Sequence, residues 1–152
     1  MRSIFRLWVI SIPGIVLSSS CAKPNTTPGN TNTNPFISAT VNGTSVTSTT
    51  VAAAYANGIL QAEGAISTAG SLEISTDSTA PATYTVTSTS INGFEYSKDG
   101  NTAYRSSPGG TLVIKSYSNK TLTGTFQGWA KNVTGGSDSV NITNGAFNIK
   151  LQ

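Results

Sequence analysis

A chain of 152 residues with 10% charged side chains, no histidine and a single cysteine leaves little material for catalysis. Without His there is no Ser–His or Cys–His pair, and a zinc site lacks its usual ligands, so no enzyme and no metal or other cofactor is expected. The net charge of +3 includes Arg2 and Arg6, which lie in a segment expected to be removed; what remains is nearly neutral and has no basic run, which excludes nucleic acid as a partner.

Residues 1–21 read as a secretory signal peptide. Arg2 and Arg6 supply the positive start, Ile4 to Leu17 is mostly apolar, and Ser18, Ser19 and Ser20 precede Cys21. The apolar stretch is shorter than the ~20 residues of a membrane-spanning helix. Small residues followed by one Cys resemble the lipobox of bacterial lipoproteins, although Ser18 stands where that family usually has Leu. The resemblance implies that Cys21 takes a diacylglycerol and, after cleavage, an amide-linked acyl chain such as palmitate. Two or more acyl chains anchor a protein stably. Neither an acidic residue directly after Cys21 nor an acidic cluster follows, so the resemblance points to the outer membrane and leaves the leaflet open.

Ala22 to Pro35 (AKPNTTPGNTNTNP) has no large apolar residue and reads as a disordered polar tether. The folded domain is expected over residues 36–152. Ile37, Ala39 and Val41 alternate, and Asn42-Gly43 supplies the positive φ angles of a tight hairpin turn. The same signal returns at Asn57-Gly58, Asn92-Gly93 and, as a variant, Asp99-Gly100; these four are expected to reverse the chain. A fifth, Asn144-Gly145, reads as a bulge or corner. Leu60, Ala62, Gly64 and Ile66 share one strand face, with Gln61 and Glu63 opposite. Leu72 and Ile74 mark the next strand, Tyr84 and Val86 another. Ile91 to Tyr96 and Asn101 to Arg105 flank Asp99-Gly100, which brings Phe94, Tyr96 and Tyr104 near one another.

The last forty residues carry the clearest pattern. Gly110–Tyr117, Thr121–Lys131 and Ser139–Leu151 alternate at period two, with Ser118-Asn119-Lys120 as a hairpin link. No stretch has helical apolar spacing with caps. Nine or ten strands with short links predict an all-β fold: an antiparallel meander forming a two-layer β-sandwich, with a flattened, calycin-like up-and-down barrel as the alternative.

Several stretches in order resemble small lipoproteins of certain Gram-negative bacteria. They are ATVNGT at Ala39–Thr44, ILQAEG at Ile59–Gly64, LTGTFQGW at Leu122–Trp129 and VNITNGAFNIKL at Val140–Leu151. This resemblance implies a lipid anchor, a tether and a β domain of unknown function, and brings no activity with it. In related bacteria Asp-(Ser/Thr)-(apolar or Thr) signals O-glycosylation, which would single out Ser78 in Asp77-Ser78-Thr79 and Ser139 in Asp138-Ser139-Val140.

Trp129 has outward parity, where an aromatic can stack on a sugar ring. A bulge at Gly124 or Gly128 would flip that parity, and burial or edge cover is the preferred reading. Tyr117, with the parity of Val113 and Lys115, and Tyr104 are the other ligand-binding candidates. Glu63 and Glu73 fall on adjacent strands and read as solvated sheet-face charges rather than a catalytic pair. The expected function is therefore a lipid-anchored, non-enzymatic binding module of the cell envelope, with a glycan, a peptide or an envelope protein as its partner. The alternatives are a calycin-like carrier of a small apolar ligand and a structural or adhesive envelope component. Oligomeric state is left open.

Overall fold

The computed structural model of the protein describes residues 34–152, so the expected signal peptide, Cys21 and most of the expected tether lie outside the described residues. Eleven strands form: β1 (Phe36–Val41), β2 (Thr44–Ser48), β3 (Val51–Ala56), β4 (Ile59–Ala65), β5 (Ser71–Thr76), β6 (Ala82–Thr85), β7 (Gly93–Ser97), β8 (Ala103–Ser106), β9 (Thr111–Ser118), β10 (Thr121–Asn132) and β11 (Ser139–Lys150). Among the described residues there is no helix. All pairings are antiparallel, in the order β2-β1-β11-β10-β8-β7-β5-β4-β3, with β9 on β10 and β6 on β9. The sheet bends over on itself, with β1 and β2 lying over β4 and β11 approaching β3, and it nearly closes into a barrel-like shape that agrees with both expected forms, the two-layer sandwich and the flattened barrel.

Strand β10 makes this shape possible. Its first part, Thr121–Gln127, pairs with β9, and its last part, Ala130–Asn132, pairs with β8. One long strand therefore belongs to both halves. The inward set Leu122, Gly124, Phe126 and Ala130 is buried along its length. Phe126 sits between Phe94, 5.2 Å away by ring centroid, and Phe147, at 6.5 Å. The Phe147 ring fills the space that Gly124 leaves: a Cβ there would collide with that ring and with the Val113 carbonyl.

Three of the four expected reversals are present. Asn42-Gly43 and Asn57-Gly58 are two-residue turns with both φ angles positive, as type I′ geometry requires. The link after β9 is of the same kind, with Asn119 and Lys120 at φ 49 and 60. Asp99-Gly100 also reverses the chain, within the longer loop 98–102. Asn92-Gly93 does not. Its asparagine carbonyl oxygen instead accepts from Thr76 Oγ1 (2.8 Å) and the Asp77 amide (3.2 Å), which ties two loops together. The chain therefore departs from a simple meander: β5 pairs with β7, and β6 leaves to pair with β9.

Asn144-Gly145 is a bulge inside β11. Asn144 has φ 52, and the register with β10 skips from Phe126↔Gly145 to Gly128↔Ile142. The extra residue switches the inward set from Val140 and Ile142 to Phe147 and Ile149. A second bulge lies in β9, where the register skips from Thr123↔Ser116 to Gly124↔Ile114. Both bulges fall on the partners of β10 and not on β10 itself.

Gly124→Ala should lower the unfolding free energy by about 1–3 kcal/mol, the usual cost of overpacking a filled core. Gln127→Ala, exposed on the outer face of the same strand, should stay within about 0.5 kcal/mol. Chemical denaturation compares the two, and equal midpoints would refute the notch.

Candidate functional site

Alternation places one row of charged side chains on the outer face. Glu63 of β4 pairs with Glu73 of β5, Glu73 with Glu95 of β7, Glu95 with Arg105 of β8, and Arg105 with Lys131 of β10. Directly opposed residues in a sheet have Cβ atoms roughly 5 Å apart. The Arg105 guanidinium donates twice to Glu95 Oε2, at 3.0 and 3.1 Å. Glu73 lies between two carboxylates. Burial, then Glu95, then Glu63 push its carboxyl above the usual range, and Arg105 offsets part of that rise.

The segment 86–92 runs beside this row as a strap and borders a groove with Glu73, Glu95 and Arg105. Val86 is buried and bonded to the Gly109-Gly110 backbone, Thr87 and Ser90 bond each other reciprocally, and Ser75 Oγ donates to the Ile91 carbonyl. The strap and the sheet enclose a groove of about 460 Å³. Gln61, Glu73, Glu95, Arg105, Asn92 and the strap hydroxyls line it, with Ile91 as an exposed apolar flank. A few convergent polar groups beside apolar surface are what orients a polar ligand in a cleft.

Trp129 sits on the strand beyond Arg105, two residues before Lys131, and is 56% exposed. Of the two expected readings, burial and edge cover, burial does not hold. The register shifts fall on β9 and β11, so the parity of β10 runs unbroken through Gly124 and Gly128 and Trp129 faces outward. The β9 bulge has the opposite effect on Tyr117. It stands opposite the buried Leu122, on the inward side, and is 41% exposed where β9 has run past its outer neighbour, β6 pairing only with Thr111 to Ile114. Trp129 and Tyr117 therefore belong to different faces.

Tyr104 is buried, its ring stacked on Tyr96 at 5.9 Å, and its hydroxyl donates to Asp138 Oδ2 at 2.7 Å. Asn132 donates to the other oxygen of Asp138, also at 2.7 Å. The hydrogen bond from Tyr104, then that from Asn132, hold the Asp138 carboxyl below its ordinary range; the same bond, with burial, raises the Tyr104 phenol. Tyr104 and Ser139 both line a second groove at one end of the barrel. Ser139 is exposed, whereas Ser78 is half-buried, with its hydroxyl accepting from the Ala80 amide. Among the described residues no three acidic or sulfur ligands converge as a metal site would need.

Sequence reasoning put Glu63 and Glu73 on the outer face but missed Glu95, Arg105, Tyr96 and Lys98 as neighbours of a site. A two-residue turn at Asp99-Gly100 would have set Glu95 opposite Tyr104. The loop 98–102 shifts the register by one residue.

Residues 33–149 match DUF6252, a domain of unknown function. The chain belongs to the DUF6252 family. No curated protein and no solved structure matches it.

Glu73 offers a direct test of the electrostatics of this DUF6252 domain. A carboxyl whose folded-state pKa is raised costs stability when ionised, and the cost disappears as pH falls below the unfolded value of 4.5. Glu73→Gln should therefore raise the melting temperature at pH 7. That gain should shrink toward zero in melts repeated down to pH 4.

Proposed function

We propose that this protein is a lipid-anchored, non-enzymatic binding module of the bacterial cell envelope, and that an envelope glycan lies along the strapped groove of the outer face. The observation that carries the reading is the groove itself. Planar polar side chains (Gln61, Asn92, Glu95 and Arg105) line one trough with the strap hydroxyls, and the Glu95 bond holds the Arg105 head in place. Sugars present dense hydroxyls, and fixed planar groups match them with little entropy lost on binding. Trp129, exposed on the outer face of the strand that pairs with β8, offers a stacking surface to a chain that extends past Arg105.

The rival readings have less support. A carrier of an apolar ligand needs a hollow interior, and here the Phe94, Phe126 and Phe147 rings occupy it. A glycosidase needs two carboxylates on opposite sides of a sugar. Glu73 and Glu95 instead stand side by side on one sheet face, and Glu95 is bound to Arg105. The anchor rests on Cys21 and its lipobox resemblance, and the site does not depend on it.

A thermal-shift screen against peptidoglycan fragments and surface polysaccharides tests the glycan reading. A ligand at a hundred times its dissociation constant stabilises by roughly 2.7 kcal/mol. The shift should vanish in Arg105→Ala and weaken in Trp129→Ala; a shift unchanged in both variants would refute the groove. Separately, Cys21→Ala should move the protein from the membrane fraction to the soluble one, and retention in the membrane fraction would count against the anchor.

A further inference from the structure

The sheet ends on one side at β3, which pairs with β4 alone among the described residues. Natural sheets guard such edges with charges, proline, bulges or very short strands. β3 has none of these. Val51–Ala56 reads VAAAYA, uncharged and in unbroken register with β4. By contrast β6, the free strand on the β9 side, is four residues long and follows Pro81.

The turn decides which peptide groups of β3 stay unused. Asn57-Gly58 is a two-residue turn, so the closing residues Ala56 and Ile59 exchange both hydrogen bonds. Ladder bonds alternate along a strand. Ala54 and Ala52 therefore also bond to β4, while the N–H and C=O of Val51, Ala53 and Tyr55 point to the free side. The same three side chains share the inward face, opposite Gly64, Ala62 and Leu60. Val51 and Ala53 are half-buried, and Tyr55 is 50% exposed. Gln152 borders the edge beside Ala52–Ala54, and its exposed side chain can move aside. At the opposite edge, the Asn42-Gly43 turn directs only Ser45 and Thr47 of β2 outward, and neither is apolar.

We propose that β3 is a self-association edge, where a second copy of this chain adds its own β3 antiparallel about a two-fold axis at Ala53. A two-fold contact requires one patch to fit itself. The spacing Val51-x-Ala53-x-Tyr55 does so: Ala53 meets the partner's Ala53, and each Tyr55 packs on the partner's Val51. An aromatic opposite a β-branched residue is a favourable cross-strand pair. Three outward residues per copy then give about six hydrogen bonds. An axis at Ala52 or Ala54 would leave one of the three opposite a residue beyond the partner's strand. Charge does not oppose the pairing. Glu63, opposite Ala52 on β4, lies three strand spacings from the partner's Glu63, roughly 14 Å, beyond the ~8 Å screening length at physiological salt. A six-residue strand is about 20 Å long, and a strip of that length falls short of the roughly 800 Å² per partner of a standard interface. The dimer is therefore a weak one that forms at high local concentration, a condition the membrane anchor of the proposed function would supply.

Sedimentation equilibrium of the full-length protein in density-matched detergent tests the edge. The wild type should associate reversibly to a dimer as its concentration rises. Ala53→Pro removes one outward N–H per copy and leaves the β4 bonds in place, so it should weaken the dimer about tenfold or more with little change in melting temperature. Tyr55→Lys, which puts a charge on an exposed edge position, should weaken it as well. Val133→Lys, at an equally exposed apolar position after β10, should not. In hydrogen exchange the Val51, Ala53 and Tyr55 amides should gain protection with protein concentration, while those of Ala52 and Ala54 stay constant. A monomer at every concentration up to about 1 mM, dimerisation unchanged by both Ala53→Pro and Tyr55→Lys, or no concentration dependence at those three amides would each overturn the proposal.

Discussion

The Phe147 ring sits in the notch that Gly124 leaves on β10, against the Val113 carbonyl of β9, and this contact ties three strands at one point. Packing of this kind is short-ranged: a gap of half an ångström forfeits much of the dispersion energy, and an added methyl has nowhere to go. The notch therefore fixes the register of β10 against both neighbours. With that register set, β10 can pair with β9 at one end and β8 at the other, which lets a single sheet fold over on itself. The two bulges that provide the curvature sit in β9 and β11, so the inward face of β10 stays continuous while its partners bend around it. Bulges that bend a strand and re-aim its side chains are a common device for closing sheets.

Charge is sparse in this domain, and that sharpens the roles of the few charged groups. The outer row concentrates three of the six carboxylates of the chain on adjacent strands. Like charges directly opposite one another destabilise a sheet, and the arrangement persists with only Arg105 to offset it. A surface selected for stability alone would disperse such charges. Retaining two of them, Glu73 and Glu95, in a groove bordered by hydroxyl-bearing residues fits a surface kept for contact with a polar ligand. Asp138 and Asp99 follow the opposite pattern, since each spends its oxygens on donors from its own domain.

Much of the fold was legible because strand period and turn chemistry are local. The inward sets around Ile37, Leu60, Leu72, Leu122 and Phe147 follow from alternation, and Asn42-Gly43 and Asn57-Gly58 follow from the need for positive φ. Asn92-Gly93 carries the same dipeptide but turns nothing, because the Asn92 side chain found a better use as an acceptor for Thr76 and Asp77. The exchange of β6 from the meander to β9 had no local signal at all. The faces of Trp129 and Tyr117 were not legible for one reason: a bulge reverses parity downstream on its own strand only, and the sequence does not say which of two paired strands carries the extra residue. Tyr104 was singled out as an aromatic candidate, yet its setting with Asp138, across 34 residues, depends on the closure of the barrel end.

Both grooves trace back to one loop. With two residues between β7 and β8, Glu95 would face Tyr104 and the acidic row would lose its arginine. Cross-strand partners share a face, so that register would also force either Tyr104 outward or Glu95 inward. The loop 98–102 avoids the conflict: Glu95 meets Arg105 on the outer face, and Tyr96 meets Tyr104 on the inner one. Asp99 holds the loop at this length by bonding the Asn101 and Thr102 amides, an Asx-type closure that an aspartate makes readily. The backbone bond from Asn101, then that from Thr102, depresses the Asp99 carboxyl. Its contribution is thus present above the ordinary carboxylate range and is lost on acidification. One carboxylate in an exposed turn thereby sets the register that builds the trough on one side of the sheet and the tyrosine pair of the second groove on the other.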